Sequence, residues 1–341
     1  LPSPSIGLYR VVAEYFVNDY FGDKLITLTP AEVRERFGKL FSRRFLVMVD
    51  ENEGIAEIIE QCTHQGPIEW DAMNRRRAGG AITGIRVEGN TMSILAKLGR
   101  FPVQFGAASG EIGGQALETV EINGDEVVTS WAGIAGAGVG IAACLPQAPG
   151  VLRAEYPSED DLRVGGARVN RVRITSPRYE KVTVGIDDTD TREEGATWVL
   201  ALKCAEQCPV EGVEFLTMRL VQLNPEVPKK TTNCVGSALV FAVRPASTDA
   251  LEQYIRAFVE TNTKSSDTGI AVYRGIGAPE SGMRDRVKKD FVTLEEAAEE
   301  AERLGIRFID GNGRKGRIGA LGAVLWTQKG VEAAGLYGEH L

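Results

Sequence analysis

The stretch Lys181-Val-Thr-Val-Gly-Ile-Asp-Asp-Thr-Asp190 decides how this chain is read. Its first six residues are mostly β-branched or small, the composition of a buried strand. The strand runs without a break into Asp187, Asp188 and Asp190, three carboxylates within four residues. Like charges at that spacing repel and cost folding energy unless a cation lies among them. Mg²⁺ suits such a place, because it takes one or two protein oxygens and completes its shell with water and phosphate. The competing reading is a solvated acidic turn that caps a helix expected over 195–207.

Downstream of this strand, 212–223 and 235–243 read as strands, 249–260 as a helix and 269–273 as a short strand. Thr293-Leu-Glu-Glu296 is a capping box opening a helix to 304. A strand over 306–309 and an apolar helix over 318–328 follow. Strands alternating with helices predict an α/β or α+β fold with one layer of helices on a sheet. Two loops in this half carry phosphate-type chemistry. The first, 223–233, is stiffened by two prolines and offers Asn224, Lys230, Thr231 and Asn233. The second, 312–321, offers Gly313, Arg314, Lys315, Gly316 and Gly319 at the start of a helix. Exposed amides, basic side chains and a helix N-terminus are what a phosphate cradle is made of. The spacing is not that of a Walker A loop. An acidic strand end with two basic loops predicts a nucleotide–Mg²⁺ site.

The first half also reads as mixed α/β, and the boundary is placed near Pro177, giving domains 1–177 and 178–341. Thr29-Pro30 opens a helix to about 41, 44–50 is a strand, and 53–61 is expected as a short helix with Ile55, Ile58 and Ile59 on one side. Residues 82–87 form a strand, and 120–128 a hairpin turning on Asn123-Gly124. Residues 147–178 read as a connection with one strand at 169–174.

The chain has 341 residues, 43% hydrophobic and 25% charged, which excludes disordered, collagenous and coiled-coil classes. Its net charge is −8, and neither half is a basic body that would wrap a polyanion. Five scattered cysteines point to reduced thiols, and no signal or membrane-spanning run is read, so a cytoplasmic protein is expected. Two histidines leave little room for a His-rich metal site.

Residues 181–326 resemble the kinase domain of the archaeal isoleucine-tRNA agmatinylcytidine synthetases. The motifs are GIDDTD at 185–190, VQLNPEVPKKT at 221–231 and GRKGRIGAL at 313–321, in the family's order. A weaker echo is the segment from Asp267 to Tyr273, at the place of a strand in the family. The resemblance implies Mg²⁺ and ATP on the acidic residues and a phosphorylated threonine at the position of Thr197. It also implies conversion of ATP to AMP with activation of a cytidine carbonyl. Here the family's Thr-Thr pair is Thr197-Trp198, the segment after Lys-Thr is Thr232-Asn-Cys-Val235, and no zinc-ribbon cysteine pairs occur. The layout of the whole chain, with Val49–Glu53 (VDENE) in its first half, looks like methanogenesis marker protein 11. The expectation is an archaeal protein associated with methanogenesis that uses ATP and Mg²⁺ for phosphoryl- or adenylyl-type activation of a small molecule or a protein. A tRNA cytidine-modifying ligase, or a non-catalytic nucleotide-binding assembly subunit, is the alternative.

Three further features have plainer readings. Gly133, Gly136, Gly138 and Gly140 lack dinucleotide spacing and fit tight packing. Arg75–Arg77 read as a solvated loop, and Cys204 and Cys208 as buried or half-buried helix thiols.

Overall fold

The computed structural model describes residues 21–22, 24–103, 105–106, 108–228, 230–309 and 314–341. The chain divides into two compact units, Leu1–Arg178 and Tyr179–Leu341.

The first unit begins with β1 (Ile26–Leu28) and α1 (Pro30–Phe37), where Thr29 and Glu32 form a complete capping box and Gly38 ends the helix. Then come β2 (Ser42–Asp50), β3 (Ile55–Cys62), α2 (Gln65–Arg77), β4 (Ile82–Glu88), β5 (Thr91–Lys97) and β6 (Gly99–Arg100). β7 (Gly114–Asn123), β8 (Glu126–Ile134), a one-turn α3 (Ala137–Val139), β9 (Arg153–Tyr156) and β10 (Val169–Asp187) complete it. Strands β4, β5, β3 and β2 pair antiparallel in that order. β6, β7, β8 and residues 169–177 of β10 form another antiparallel run, with β9 also on β10 and β1 on β9.

Three expectations are corrected here. Residues 53–61 are not a helix but lie largely in β3, a strand flanked on both sides by β2 and β5. Its buried face is Ala56, Ile58, Glu60 and Cys62, so a buried glutamate disguises the alternation. The hairpin turns on Gly124-Asp125, because Asn123 pairs with Glu126; Gly124 takes the left-handed φ of 58°. The expected strands at 169–174 and 181–186 are one strand of 19 residues. Pro177 falls where β10 changes partner from β8 to a later strand, so its missing N–H interrupts no regular ladder.

The second unit holds the end of β10, α4 (Thr197–Glu206), β11 (Val213–Gln222), β12 (Val235–Val243) and α5 (Thr248–Asn262). β13 (Gly269–Arg274), α6 (Met283–Lys289), α7 (Leu294–Arg303), β14 (Arg307–Phe308) and α8 (Gly316–Trp326) follow. The strand order is β11-β12-β10-β13-β14, antiparallel throughout. Alternation along β10 sends Val182, Val184 and Ile186 into a core with Leu251 and Ile255 of α5 and Ala201 of α4. A separate core joins Ala238 and Ala271 to Val287, Ala297 and Leu321 of α6, α7 and α8. Helices therefore cover both faces, and not the single layer expected. The mixed α/β class holds in both units.

Helix α8 lies against the strands because glycines leave room for it. A Cβ on Gly185 would sit 2.0 Å from the Ala320 carbonyl oxygen, and one on Gly269 would sit 2.1 Å from Gly316 C. No helix among the described residues is long and apolar enough to cross a membrane.

Candidate functional site

Asp187 is the last residue of β10, and Asp188 turns the chain with a left-handed φ of 53°. The turn is held through its carbonyls. Thr268 Oγ1 donates to Asp188 O at 2.9 Å, and Lys264 N and Thr263 Oγ1 donate to Thr189 O at 2.8 and 3.2 Å. Thr197, the first residue of α4, is buried behind this turn. Its Oγ1 accepts from Thr189 N and Thr189 Oγ1, each at 3.1 Å, and donates to Asp190 Oδ1 at 3.3 Å. Thr231 Oγ1 donates to the same Asp190 oxygen at 3.3 Å, which ties the 223–233 loop to the acidic turn.

The first turn of α8 closes on the other side. A Cβ on Gly319 would lie 1.6 Å from Asp187 Oδ2. Gly316 N donates to Asp267 O at 2.8 Å, and Lys315 Nζ pairs with Asp267 Oδ2 at 2.6 Å. On the loop side, Asn224 Nδ2 donates to Asp290 O at 3.0 Å and its Oδ1 accepts from Glu226 N at 2.9 Å.

These elements enclose a cavity of about 720 Å³, wholly within the second unit. Asp187, Asp188, Asp190 and Thr197 line it. So do Asn224, Lys230, Thr231 and Asn233 from the loop, and Lys315 and Gly319 from the start of α8. Two expected residues do not line it. Arg314 is exposed outside it, and Gly316 is buried against Gly269, where its role is close packing. Gly313 lies outside the described residues. The sequence reading missed Trp198, Asp267 and an apolar wall made by Phe291 and Val292 with Leu223, Val227 and Val287. Asp267 opens the segment noted as a weak echo, two residues before β13; Phe291 and Val292 carry no motif that could have announced the wall, and the Thr293 capping box beside them marks only a helix start.

The electrostatics are those of an under-compensated acidic site. Burial, then the neighbouring Asp188, pushes the Asp187 carboxyl well above the usual carboxylate range. Asp188 is pushed up to about 6 by burial, Asp190 and Asp267, with Lys315 opposing. Cys234, also at left-handed φ (55°), donates its thiol to Asn224 O at 3.1 Å. Burial and then the two aspartates push that thiol up to about 12, so it is unreactive as a nucleophile. Among the described residues no three acidic, cysteine or histidine side chains form a ready metal cage. The donor set fits a hard cation that needs one or two carboxylates and draws its other oxygens from a ligand.

Elsewhere the structure sorts the remaining expectations. Arg75 is not in a solvated loop. It is buried on α2, bidentate to Glu60 at 2.5 and 2.8 Å, bonded to Gln115 at 3.0 Å and stacked 4.8 Å from the Trp131 ring centroid. Gly133 and Gly138 pack on each other, as tight packing requires. Cys204 is buried and Cys208 half-buried, both free.

A curated relative spans nearly the whole chain. "Uncharacterized protein MJ0921" of Methanocaldococcus jannaschii is 35% identical over 283 residues, covering 82% of this chain and 91% of that protein. This chain belongs to that protein's family. Residues 183–244, from β10 through β12, match the model of the TiaS TCKD domain. The tRNA 2-agmatinylcytidine synthetase TiaS of Methanocorpusculum labreanum is 28% identical over 144 residues, 41% of this chain and 34% of that protein. The same-named protein of Haloquadratum walsbyi is 30% identical over 151 residues, 41% of this chain and 32% of that protein. The chain thus spans about a third of the length of those synthetases. A crystal structure of TiaS in complex with its tRNA and ATP is 25% identical and covers 43% of this chain and 36% of that one, with a TM-score of 0.39. The domain model and the two synthetases bear out the resemblance of the second unit that its motifs carry.

Proposed function

We propose that the second unit is an ATP- and Mg²⁺-binding activation domain, and that the protein is a tRNA cytidine-modifying ligase of the TiaS kind. The observation that carries the reading is the convergence of Asp187, Asp188, Asp190, Lys230, Thr231 and the first turn of α8 on one cavity. Most of that constellation lies within the segment matched by the TiaS domain model. The aspartates are the residues that would hold the cation, which would neutralise phosphate charge once bound. Lys230, Lys315 and the positive end of the α8 dipole complement the phosphates, although the amides of Gly316, Arg317 and Ile318 are themselves bonded to backbone carbonyls. The wall of Leu223, Val227, Val287 and Val292 offers the base an apolar surface. Thr197 Oγ1 donates to the Asp190 carboxylate, which is placed to take its proton in a phosphoryl transfer; the attack itself requires Oγ1 to give up a hydrogen bond it accepts from Thr189.

The names of the curated synthetases favour tRNA as the acceptor, ahead of the small molecule or protein expected from charge. A second reading keeps that acceptor, because a net charge of −8 gives tRNA no broad basic face. The tie to methanogenesis rests on the resemblance of chain layout alone. The test is product analysis with ATP, Mg²⁺ and bulk archaeal tRNA, with and without agmatine. AMP formation that requires tRNA supports the ligase. ATP consumption indifferent to tRNA supports the second reading, and no Mg²⁺-dependent ATP binding sinks both.

A further inference from the structure

Lys288 of α6 is 3% exposed and does not line the cavity, although Val287 and Asp290 on either side of it do. Its ammonium is caged instead by the segment that follows α8. Nζ donates to Glu332 O, Ala333 O and Gly335 O at 3.0, 2.9 and 2.6 Å, and it stands 4.0 Å from the Trp326 ring centroid. An ammonium has three hydrogens to give, and each here has its acceptor. Glu332 and Ala333 end the short 3₁₀ turn Gly330–Ala333. Carbonyls at the end of a helical turn lack amide partners, and the lysine supplies the donor. Two more bonds join the same parts: Trp326 Nε1 donates to Arg284 O, and Lys289 Nζ donates to Tyr337 Oη at 3.2 Å.

The same helix end fastens the 223–233 loop. Asn224 N donates to Val287 O and Asn224 Nδ2 to Asp290 O, each at 3.0 Å, so the two bonds flank Lys288. That loop brings Lys230 and Thr231 to the cavity, and Thr231 bonds Asp190. A continuous line of contacts therefore runs from residues 332–335 through Lys288 and Asn224 to the acidic turn. Burying an ammonium costs several kcal/mol unless its donors are met, and an apolar side chain would tether the helix without that cost. What the lysine adds is direction, since three carbonyls fix its position as apolar packing would not.

We infer that Lys288 is a positioning residue for the nucleotide site, and that residues 327–341 act as a strap that holds α6, and through it the Asn224 loop, in the phosphate-binding geometry. The inference rests on the nucleotide reading of the cavity and extends it to residues outside the 183–244 domain match. The charged groups around the ammonium are Glu332 and Glu339 of the strap, which favour it, and His340, 3.8 Å from Glu332. On its own helix, Arg284 shares the Trp326 ring and Lys289 lies over Tyr337. Burial outweighs the two glutamates and pushes the Lys288 ammonium down to about 8. Above that pH the neutral amine has two N–H groups for three carbonyls and a lone pair facing them, so the strap loosens as pH rises.

The test uses the full chain and a non-hydrolysable ATP analogue with Mg²⁺, followed by calorimetry. Lys288→Met keeps the apolar stem and removes every donor. Its analogue affinity at pH 7 should be roughly 2- to 30-fold below the parent's, the range over which residues remote from a ligand act on it. The ratio of the two affinities should shrink toward one between pH 7 and pH 9, because the parent loses its ammonium over that interval and the variant has none to lose. Taking the ratio cancels the pH dependence of ATP and Mg²⁺ themselves. A lysine that served stability alone would shift the unfolding midpoint and leave the affinity and its pH profile unmoved. Coupling between sites is reciprocal, so saturating analogue should slow amide hydrogen exchange at residues 330–336 of the parent, a measurement that needs no variant to fold. Equal affinities at pH 7, a ratio that does not move with pH, or exchange unchanged by the analogue overturns the inference and leaves the nucleotide site standing. Failure of the parent to bind the analogue at all refutes the nucleotide reading and this inference with it.

Discussion

Replacing Asp188 by asparagine should stabilise the ligand-free protein at neutral pH while abolishing its use of Mg²⁺ and ATP. The side chains are nearly equal in size, and asparagine is among the few residues that tolerate the left-handed φ found here. What changes is charge. The Asp188 carboxyl titrates at about 6 in the folded protein against an ordinary 3.8, because burial and then Asp190 and Asp267 penalise its ionised form. Between those values the folded state holds more protons than the unfolded one, so stability falls as pH rises. The full stabilisation is present below about 4 and is gone above about 6. A rise from 3.8 to about 6 corresponds to roughly 3 kcal/mol at most. Water reaches part of this half-buried group, so a gain of about 1–3 kcal/mol in Asp188→Asn is expected at pH 8. At pH 4 the gain should vanish, since both proteins are then neutral at this position. Urea unfolding at the two pH values, paired with calorimetry for ATP and Mg²⁺, measures both halves. A variant less stable than the parent at pH 8, or one stabilised equally at pH 4, would refute the reasoning.

Gly319→Ala should leave the chain folded but eliminate nucleotide binding, because the new methyl displaces the Asp187 carboxylate it would meet at 1.6 Å; retained ATP affinity would count against that. Thr197→Val strands the Thr189 N–H and hydroxyl and should cost about 1–3 kcal/mol, whereas Thr197→Ser should restore most of it in the same denaturation series. In the first unit, Arg75→Met leaves Glu60 buried without its bidentate partner, for a loss of about 3–5 kcal/mol; adding Glu60→Leu should recover much of this, and no recovery would contradict the ion-pair account.

What can be read from sequence divides along physical lines. The strand ending in three aspartates, the Thr293 capping box and the helix at 318–328 are legible because each announces itself locally. β3 misleads because Glu60, tolerated inside only by Arg75 from a segment 15 residues on, breaks the apolar alternation. Likewise Arg75 reads as surface on charge alone. In the site, the aspartates and the 224–233 loop are contiguous motifs, and they line the cavity as a group. Asp267 is marked only by the weak echo at 267–273, and the apolar wall at Phe291 and Val292 arrives through tertiary packing, with no local pattern to mark it as part of a site. Of the two helix-start glycines read as phosphate contacts, Gly316 is used for close packing against Gly269, while Gly319 stays on the cavity beside Asp187.

The close fit of α8 also bears on how this protein could be made more robust. Replacing glycine by alanine is a common route to stability, because it restricts the unfolded chain. Here the glycines fall into two kinds that composition does not distinguish. Gly66, Gly277 and Gly282 have open space where a methyl would go and no left-handed φ, so they are sound targets. At Gly185, Gly269 and Gly316 the methyl would lie 2.0, 2.1 and 2.4 Å from backbone atoms of the facing element. Those three are the bearing surface between helix and sheet. Stiffening the chain there would push α8 off β10 and β13, and with it the one helix N-terminus among the described residues that closes over Asp187.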